Sequence, residues 1–199
     1  MRADVSFIVD KVNILKSVSI FSDLSDSDLS SILDKMVQQT FKKGQIILME
    51  DRIGDHCFFL THGRVKITRL SSDGREVILA LLGKGEFFGE MSLLDGEARS
   101  ANVVALERTE ALTLNVADFM NTLEIYPKVA INLLCELAVR LRKSDEQIAN
   151  LSLSDAERRI AVSLIRLAEE QGTIHQGHVT ICLLYTSDAA DDTPCVDLG

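Results

Sequence analysis

Between Val37 and Asn115 the chain consists of short β-rich runs separated by glycines. Glycines recur between the runs at a spacing of roughly ten residues, and Ser72-Asp73-Gly74-Arg75 is a hairpin turn signal. Regularly spaced short strands are typical of a sandwich or barrel, so this pattern predicts a small β-roll. The predicted strands are Ile46–Met49, Cys57–Leu60, Val65–Leu70, Val77–Leu82, Asn102–Ala105 and Ala111–Leu114.

The segment 88–103, between two of these runs, has the composition of an anion-binding turn. Gly89 lets the backbone approach a ligand closely, and successive N–H groups in such a turn point at an anion. Arg99 carries a planar fork that matches phosphate oxygens, and Ser100 adds a hydroxyl donor. Glu90 only accepts hydrogen bonds, so it suits a ribose hydroxyl. The same residues are also consistent with a tight turn that carries an Arg–Glu surface pair.

The order of residues in this segment resembles a known motif. Phe88-Gly89-Glu90-Met91-Ser92-Leu93-Leu94, followed by Arg99-Ser100-Ala101-Asn102-Val103, resembles the phosphate-binding cassette of the cyclic-nucleotide-binding domain. From about Ile20 to Ile181 the chain is similar to the CRP/FNR family of bacterial transcription regulators, because strands, cassette and following helix arrive in that order. The resemblance implies an α+β fold and no enzymatic activity. This fold is a jelly-roll-like cyclic-nucleotide-binding β-roll with flanking helices, a long dimerisation helix and the start of a winged helix-turn-helix domain.

The resemblance also implies which residues contact the ligand. Gly89, Glu90, Arg99 and Ser100 match positions that contact the cyclic phosphate and the ribose 2′-hydroxyl. Ile67 and Leu79 lie on strands whose counterparts in the family line the pocket for the nucleotide base. Both residues are explained equally well as ordinary members of the barrel core. The other cassette positions included in the candidate site are Met91, Ser92 and Ala101.

Two residues of the long helix bear on the identity of the base. Ser144 matches a family hydroxyl that reaches the base edge, whereas Asp145 departs from the small hydroxyl usual at its position. A carboxylate there can accept from the adenine amino group or from guanine N1–H and N2–H₂, and it can equally be a solvated charge. The expected ligand is cAMP, with cGMP as the alternative.

A heptad pattern runs along the helix that Pro127 opens. At about 1.5 Å per residue the segment 129–151 spans roughly 35 Å, enough to pair with a copy of itself. Packing on its own barrel alone is the alternative, but the heptad order and the resemblance favour a two-fold homodimer through helix 127–152. The seam positions are Ile131, Leu134, Ala138, Leu141, Asp145, Ile148 and Ser152.

Helices are predicted on both sides of the β-roll. Val5–Ile20 is one, Ser25 caps a second, and Asn115 caps a third, Val116–Glu124. The long helix is expected to break at Leu151–Ser154, where a capping box at Ser154–Glu157 starts the next helix. The expected domains are 1–126 (helices and β-roll), 127–152 (dimerisation helix) and 153–181 (a winged helix-turn-helix domain without its recognition helix). A strand is expected at His178–Ile181.

Residues 182–199 are expected to be a cloning or assembly artefact, with a natural acidic tail as the alternative. Cys182–Asp191 reads as a translation of TGTCTCTTATACACATCTGACGCTGCCGAC, the end of a transposase-type sequencing adapter. Cys195–Gly199 matches the next adapter segment in the same frame. Without the four aspartates of this tail, the net charge of −9 becomes −5. The natural protein is expected to continue differently after Ile181.

Composition excludes several classes of protein. No apolar run approaches the ~20 residues that span a bilayer, and the N-terminus lacks a signal-peptide layout, so a cytoplasmic protein without membrane contact is expected. Cys57 and Cys135 are too far apart in sequence to indicate a disulfide or a zinc site, and no metal site is expected. The negative charge argues against nucleic-acid binding over the whole surface but leaves room for a local basic face.

Alternative functions remain at this stage. A cupin-type enzyme would need clustered ligands, whereas His56 and His62 are isolated. A redox or gas sensor would need cysteines or haem ligands beyond Cys57 beside His56. A regulatory domain of a kinase or channel, or a family member sensing a non-nucleotide signal, also fits. The favoured reading is a cyclic-nucleotide-responsive regulator whose full-length form has DNA and RNA polymerase as partners.

Overall fold

The structure is a computed structural model. It describes residues 11–71, 73–153, 161, 164–165, 173–175, 178–182 and 195–198. The chain divides into two compact units, Met1–Leu137 and Ala138–Gly199.

The described part of the first unit contains a β-roll of two antiparallel sheets. The strand order is β1-β8-β3-β6 in one sheet and β2-β7-β4-β5 in the other. Every connection between consecutive strands except the β4–β5 hairpin therefore passes from one sheet to the other, and the sequence prediction of a β-roll is confirmed. The strands are β1 Val37–Phe41, β2 Ile46–Leu48, β3 His56–His62, β4 Val65–Leu70, β5 Glu76–Leu82, β6 Phe87–Phe88, β7 Asn102–Ala105 and β8 Thr109–Asn115.

The sequence missed two of these strands. Strand β1 carries Gln38, Gln39 and Thr40 between its apolar ends, so its hydrophobic signal is weak. Strand β6 has only two residues, which is too short for periodicity. Both are nevertheless required, because β1 and β6 close the two edges of one sheet.

Strand β3 separates two hydrophobic cores. Phe58 and Leu60 face the inside of the roll, where the Phe58 ring stacks on Phe88 with centroids 5.0 Å apart. Cys57 and Phe59 belong to the second core, which the helices build. Because both faces of β3 are covered, it reads as a continuous apolar run rather than an alternating one.

Two helices of the first unit begin at the predicted caps, whereas the helix predicted to run to Ile20 ends at residue 16, where the chain turns into a 3₁₀ turn. Residues 11–16 form α1, and Ser19–Phe21 forms a 3₁₀ turn. Ser25 caps α2 (Asp26–Leu33) by accepting from the Asp28 amide at 3.2 Å. Helix α3 (Met91–Leu94) lies in the segment between β6 and β7. Asn115 caps α4 (Val116–Ile125) by accepting from the Asp118 amide at 2.9 Å.

The long helix, α5, runs from Pro127 to Leu153. The break expected at Leu151 is not present, because Leu151, Ser152 and Leu153 are all helical. These residue types lower helix propensity only slightly, and no Gly or Pro interrupts the helix there. The expected capping box at 154–157 lies outside the described residues.

The described strands of the second unit form one antiparallel sheet of order β11-β10-β9. The strands are β9 Thr173–His175, β10 His178–Cys182 and β11 Cys195–Leu198. The strand expected at His178–Ile181 is therefore confirmed. Strand β11 belongs to the segment expected to be an artefact; any short β-prone segment can pair with an open strand edge, so the pairing leaves its origin a prediction. No helix among the described residues is long and apolar enough to cross a membrane.

Candidate ligand-binding site

The segment between β6 and β7 folds as a compact turn around one arginine. Gly89 follows β6 directly and has a φ of +86°, a backbone conformation that favours glycine. The short helix α3 follows, with the Leu93 and Leu94 amides donating to the Glu90 carbonyl at 3.0 and 3.1 Å. Gly96, at φ +74°, turns the chain back toward Arg99.

Arg99 points inward and is only 5% exposed. Its Nη1 donates to the Ser92 Oγ at 2.7 Å and to the Gly89 carbonyl at 2.5 Å. Its Nη2 donates to the His56 carbonyl at 2.6 Å. The guanidinium is thus fixed by three neutral oxygens from two separate parts of the roll.

A second segment, residues 51–55, covers Arg99 from the other side. The Arg99 amide donates to the Arg52 carbonyl at 2.8 Å, and the Asp51 amide donates to the Arg99 carbonyl at 3.0 Å. A Cβ on Gly54 would overlap the Arg99 guanidinium and the Ser92 hydroxyl. Gly54 therefore allows the close approach of this segment to the arginine.

The charge of Arg99 is buried without an ion-pair partner among the described residues. Burial lowers the pKa of Arg99. The nearby Cys57, Asp55 and Glu90 oppose this shift electrostatically, although none of them forms an ion pair with Arg99. Of its five N–H donors, three are used in the hydrogen bonds above. The site therefore has positive charge and donor capacity to spare, which suits an anion.

The other cassette residues divide into buried and exposed positions. Glu90 is 3% exposed beside Gly89, and Ser92 and Ala101 are also buried. Ser100 and Met91 are exposed. Ser100 follows Arg99 directly, so its hydroxyl lies at the solvent side of the turn while the guanidinium lies at its base.

The two proposed base-wall residues differ from one another. Ile67 is half-buried and packs against the core inside the roll. Leu79 is 44% exposed and lies in a β-bulge, because Ile67 pairs with Ala80 and Thr68 pairs with Ile78. Ile67 is therefore consistent with an ordinary residue of the barrel core, whereas Leu79 is too exposed to be one.

Ser144 and Asp145 lie on α5 in the second unit and are both exposed. The Ser144 hydroxyl donates to the Arg140 carbonyl at 3.1 Å, which is a bond along the helix itself. Their role at the base edge stays a prediction.

Two contributors to the site escaped the sequence analysis. Gly54 is one of the glycines that separate the predicted strands, and His56 was considered only as an isolated imidazole, whereas its carbonyl accepts from Arg99. No sequence signal shows which backbone carbonyl will accept a hydrogen bond from an arginine. His56 also pairs with Asp55, with Nδ1 and Oδ1 2.8 Å apart. Among the described residues no group of three or more His, Cys, Asp or Glu could hold a metal ion.

Comparison with known proteins identifies the domain. Residues 38–126 match the family model "Cyclic nucleotide-binding domain". The chain is 36% identical over 156 residues to the cyclic AMP receptor protein of Thermus thermophilus, covering 78% of this chain and 72% of that protein. It is 30% identical over 163 residues to the mouse (Mus musculus) cGMP-dependent protein kinase 2, covering 79% of this chain but 21% of the kinase.

The fold agrees with these relationships. The crystal structure of the Thermus thermophilus catabolite activator protein matches with a TM-score of 0.63 at 36% identity, covering 76% of this chain and 71% of that one. A relative of this identity that is matched over most of its length shares both fold and ancestry with the chain. The chain therefore belongs to the CRP/FNR family of transcription regulators, and residues 38–126 form its cyclic-nucleotide-binding domain.

Proposed function

We propose that this protein is a DNA-binding homodimer whose activity is controlled by a cyclic nucleotide, cAMP, bound at the cassette 89–101. The cyclic phosphate would bind at Arg99, and the ribose 2′-hydroxyl would donate to Glu90. The nucleotide would act by binding one conformation of the protein more tightly than another, which shifts the population between them.

The observation that carries this proposal is the buried charge of Arg99, which forms no ion pair among the described residues. A buried charge without an ion-pair partner is costly, and a phosphate would supply a counter-charge in direct contact together with acceptors for the remaining donors. A purely structural arginine is normally paired with a carboxylate when it is this deeply buried.

The position of Glu90 supports a sugar rather than inorganic phosphate. It is a second buried charged residue, one residue from Gly89, in the same turn. A carboxylate would repel a bare phosphate, whereas a ribose hydroxyl can donate to it. The presence of Arg99 and Glu90 in one turn therefore fits a ligand that combines an anion and a hydroxyl donor, as a cyclic nucleotide does.

The choice of cAMP as the ligand rests on the similarity to a named relative more than on the residues proposed to contact the base. The Thermus relative is named as a cyclic AMP receptor, while the kinase relative is named as cGMP-dependent. Ser144 and Asp145 are the proposed base contacts, and a carboxylate at 145 can accept from either base.

Dimerisation through α5 is supported by the exposure of its seam. Ile131, Leu134, Leu141 and Ile148 are each between 58% and 66% exposed, while Val129 and Leu133 on the same helix are buried in the first unit. An apolar stripe with heptad spacing would be covered by a copy of itself. DNA would be bound by the winged helix-turn-helix part, and RNA polymerase would be the partner of the complete regulator.

The test is a calorimetric titration of the full chain with cAMP and with cGMP. Arg99→Ala should weaken nucleotide binding by thirty-fold or more, since about 2–5 kcal/mol of charge interaction is lost. Arg75→Ala is the matched control, because Arg75 is exposed in the β4–β5 turn, where its side chain donates to Asp73. The thermal unfolding of both variants should stay close to that of the natural sequence.

The outcomes separate the alternatives. Tighter binding of cGMP would assign Asp145 to the guanine edge. Equal affinity in the Arg99 and Arg75 variants would remove the cassette from the mechanism. Binding of neither nucleotide would favour a family member that responds to another signal.

A further inference from the structure

The main chain and the side chain of His56 contact different parts of the ligand site. The His56 carbonyl accepts from Nη2 of Arg99 at 2.6 Å, and the imidazole Nδ1 lies 2.8 Å from Oδ1 of Asp55. Asp55 belongs to the segment 51–55, which covers Arg99. His56 therefore joins the guanidinium that would bind the phosphate to a carboxylate of the covering segment.

The hydrogen bond to Asp55 determines which imidazole nitrogen can titrate. A carboxylate only accepts hydrogen bonds, so Nδ1 of His56 carries the hydrogen and donates to Asp55. The proton that converts neutral His56 into the cation must then bind at Nε2. The imidazole is partly exposed, so a proton from the solvent can reach it. Imidazole is the side chain that ordinarily changes its charge between about pH 5 and pH 8.

Asp55 interacts electrostatically with both His56 and Arg99. The hydrogen bond from His56 is the main cause of the lowered pKa of Asp55, and the charge of Arg99 adds to it. Burial lowers the pKa of Arg99, and Asp55 is one of the groups whose charge opposes that shift. A protonated His56 therefore compensates the charge of Asp55, whereas a neutral His56 leaves this negative charge to act on Arg99.

The elements packed around His56 supply the other charges that act on it. His56 lies opposite Asn115 in the β3–β8 pair, next to the start of α4. There Asp118 accepts from the Asn115 side chain at 2.6 Å and lies 3.7 Å from Lys35. Among the ion pairs of the described residues, His56 takes part only in the one with Asp55. The titratable and charged groups on its own strand, the covering segment, the cassette turn and α4 are Cys57, Asp51, Arg52, Asp55, Glu90, Arg99 and Asp118.

The second histidine of β3 has different surroundings. His62 lies at the other end of the strand, about 20 Å from His56 at about 3.3 Å per residue. It lies opposite Glu110, whose carboxylate accepts from Arg108 at 3.0 Å. His62 therefore provides a matched control for a change of charge at His56.

We propose that His56 is a positioning residue of the nucleotide site and that its protonation tightens the binding of a cyclic nucleotide. This inference rests on the proposed function and adds a dependence on pH to it. Protonated His56 holds and neutralises Asp55, so the guanidinium of Arg99 attracts the phosphate at full strength. Neutral His56 leaves Asp55 as a negative charge that competes with the phosphate for Arg99 and repels it.

The experiment is a calorimetric titration of the full chain with cAMP and with cGMP at pH 6 and pH 8 and constant ionic strength. The natural sequence should bind its preferred nucleotide about three- to tenfold more tightly at pH 6, as expected for one added charge in partly exposed surroundings. His56→Gln should have the weaker affinity at both pH values. His56→Lys, which stays charged, should have the tighter affinity at both, and His62→Gln should keep the pH dependence of the natural sequence.

These substitutions leave the hydrogen bond to Arg99 in place, because the main chain of His56 makes it. A structural role of the imidazole alone would lower the affinity of both His56 variants equally at both pH values. Thermal unfolding of each variant shows that it is folded.

Proton uptake gives a second test that needs no substitution. Coupling between two ligands is reciprocal, so a nucleotide that binds protonated His56 more tightly must increase the protonation of His56. The binding heat at neutral pH should therefore differ between buffers of different ionisation enthalpy, and His56→Gln should abolish this difference.

Equal affinity of the natural sequence at both pH values, tighter binding at pH 8, or an unchanged pH dependence in His56→Gln would overturn the inference while nucleotide binding itself stands. Loss of the pH dependence in His62→Gln instead would also overturn it. Binding of neither nucleotide at either pH would overturn the proposed function together with this inference.

Discussion

The Nη1 of Arg99 donates a 2.7 Å hydrogen bond to the Oγ of Ser92, and both residues are more than nine-tenths buried. Ser92 lies on α3, so this bond joins the short helix to the residue that would hold the phosphate. The hydroxyl orients the guanidinium without neutralising it, which keeps the charge available for a ligand.

Ser92→Ala should therefore weaken nucleotide binding by about five- to thirty-fold, corresponding to about 1–2 kcal/mol for one lost charge-assisted bond. The measurement is calorimetric titration. Ser31→Ala is the control, because it also removes a serine hydroxyl with one hydrogen bond, but on α2, where Ser31 donates to the Ser27 carbonyl. An affinity unchanged in Ser92→Ala would mean that the two carbonyls alone position the arginine.

Gly54→Val should abolish nucleotide binding while leaving the β-roll folded. A side chain at 54 overlaps the Arg99 guanidinium and the Ser92 hydroxyl, so the arginine must leave its place. Gly83→Val is the matched control, since the nearest atom to a Cβ there is the Arg64 Cγ at an ordinary 3.7 Å. Circular dichroism checks the fold and titration checks the binding. Full affinity in Gly54→Val would show that Arg99 can bind a nucleotide from another position.

Local signals in the sequence were sufficient for much of the fold. Strands β4 and β7 have the predicted bounds, and Ser25 and Asn115 cap their helices as predicted. These features depend on residues close together in the chain, where periodicity and capping chemistry are informative. The end of α5 was placed too early because Ser152 is a weak helix former that the surrounding helix overrides.

The sequence also indicated Gly89, Glu90 and Arg99 through their order, but it could not show what holds the arginine. The His56 carbonyl and Gly54 are distant in sequence from Arg99 and carry no side-chain signal. Their contribution depends on the pairing of β3 with β6 and β8, which only the three-dimensional fold specifies.

The stability of the domain should depend on Asp55 in the acid range. The hydrogen bond from His56 lowers the pKa of Asp55 below its usual 3.8. A carboxyl with a lowered folded-state pKa contributes stability that is present above its unfolded pKa and is lost as the pH falls through the folded value. The free energy of unfolding of the natural sequence should therefore exceed that of Asp55→Asn at about pH 5, and the difference should disappear as the pH falls below the folded-state pKa of Asp55.

Urea unfolding at several pH values measures this difference. Asp73→Asn provides a comparison, because Asp73 also has a lowered pKa but lies in the β4–β5 turn, away from Arg99. Nucleotide affinity should follow the Asp55 change more than the Asp73 change, since residues 51–55 cover the arginine. A difference that grows toward low pH would have the wrong sign and would contradict the assignment.

Leu141→Lys should convert a dimer into monomers. Leu141 is 63% exposed at a seam position of α5, so in a two-fold pair it would pack against its own copy. The substitution would then bury two ammonium groups at one contact, and we expect the dimer to weaken at least a hundred-fold because unpaired buried charges are strongly unfavourable.

Val139→Lys is the control: it is 42% exposed, adds the same charge to the same helix and lies off the seam. Sedimentation equilibrium should show a monomer for the first variant and a dimer for the second. Loss of the dimer in both would indicate general charge repulsion along α5, and a dimer in both would place the interface elsewhere.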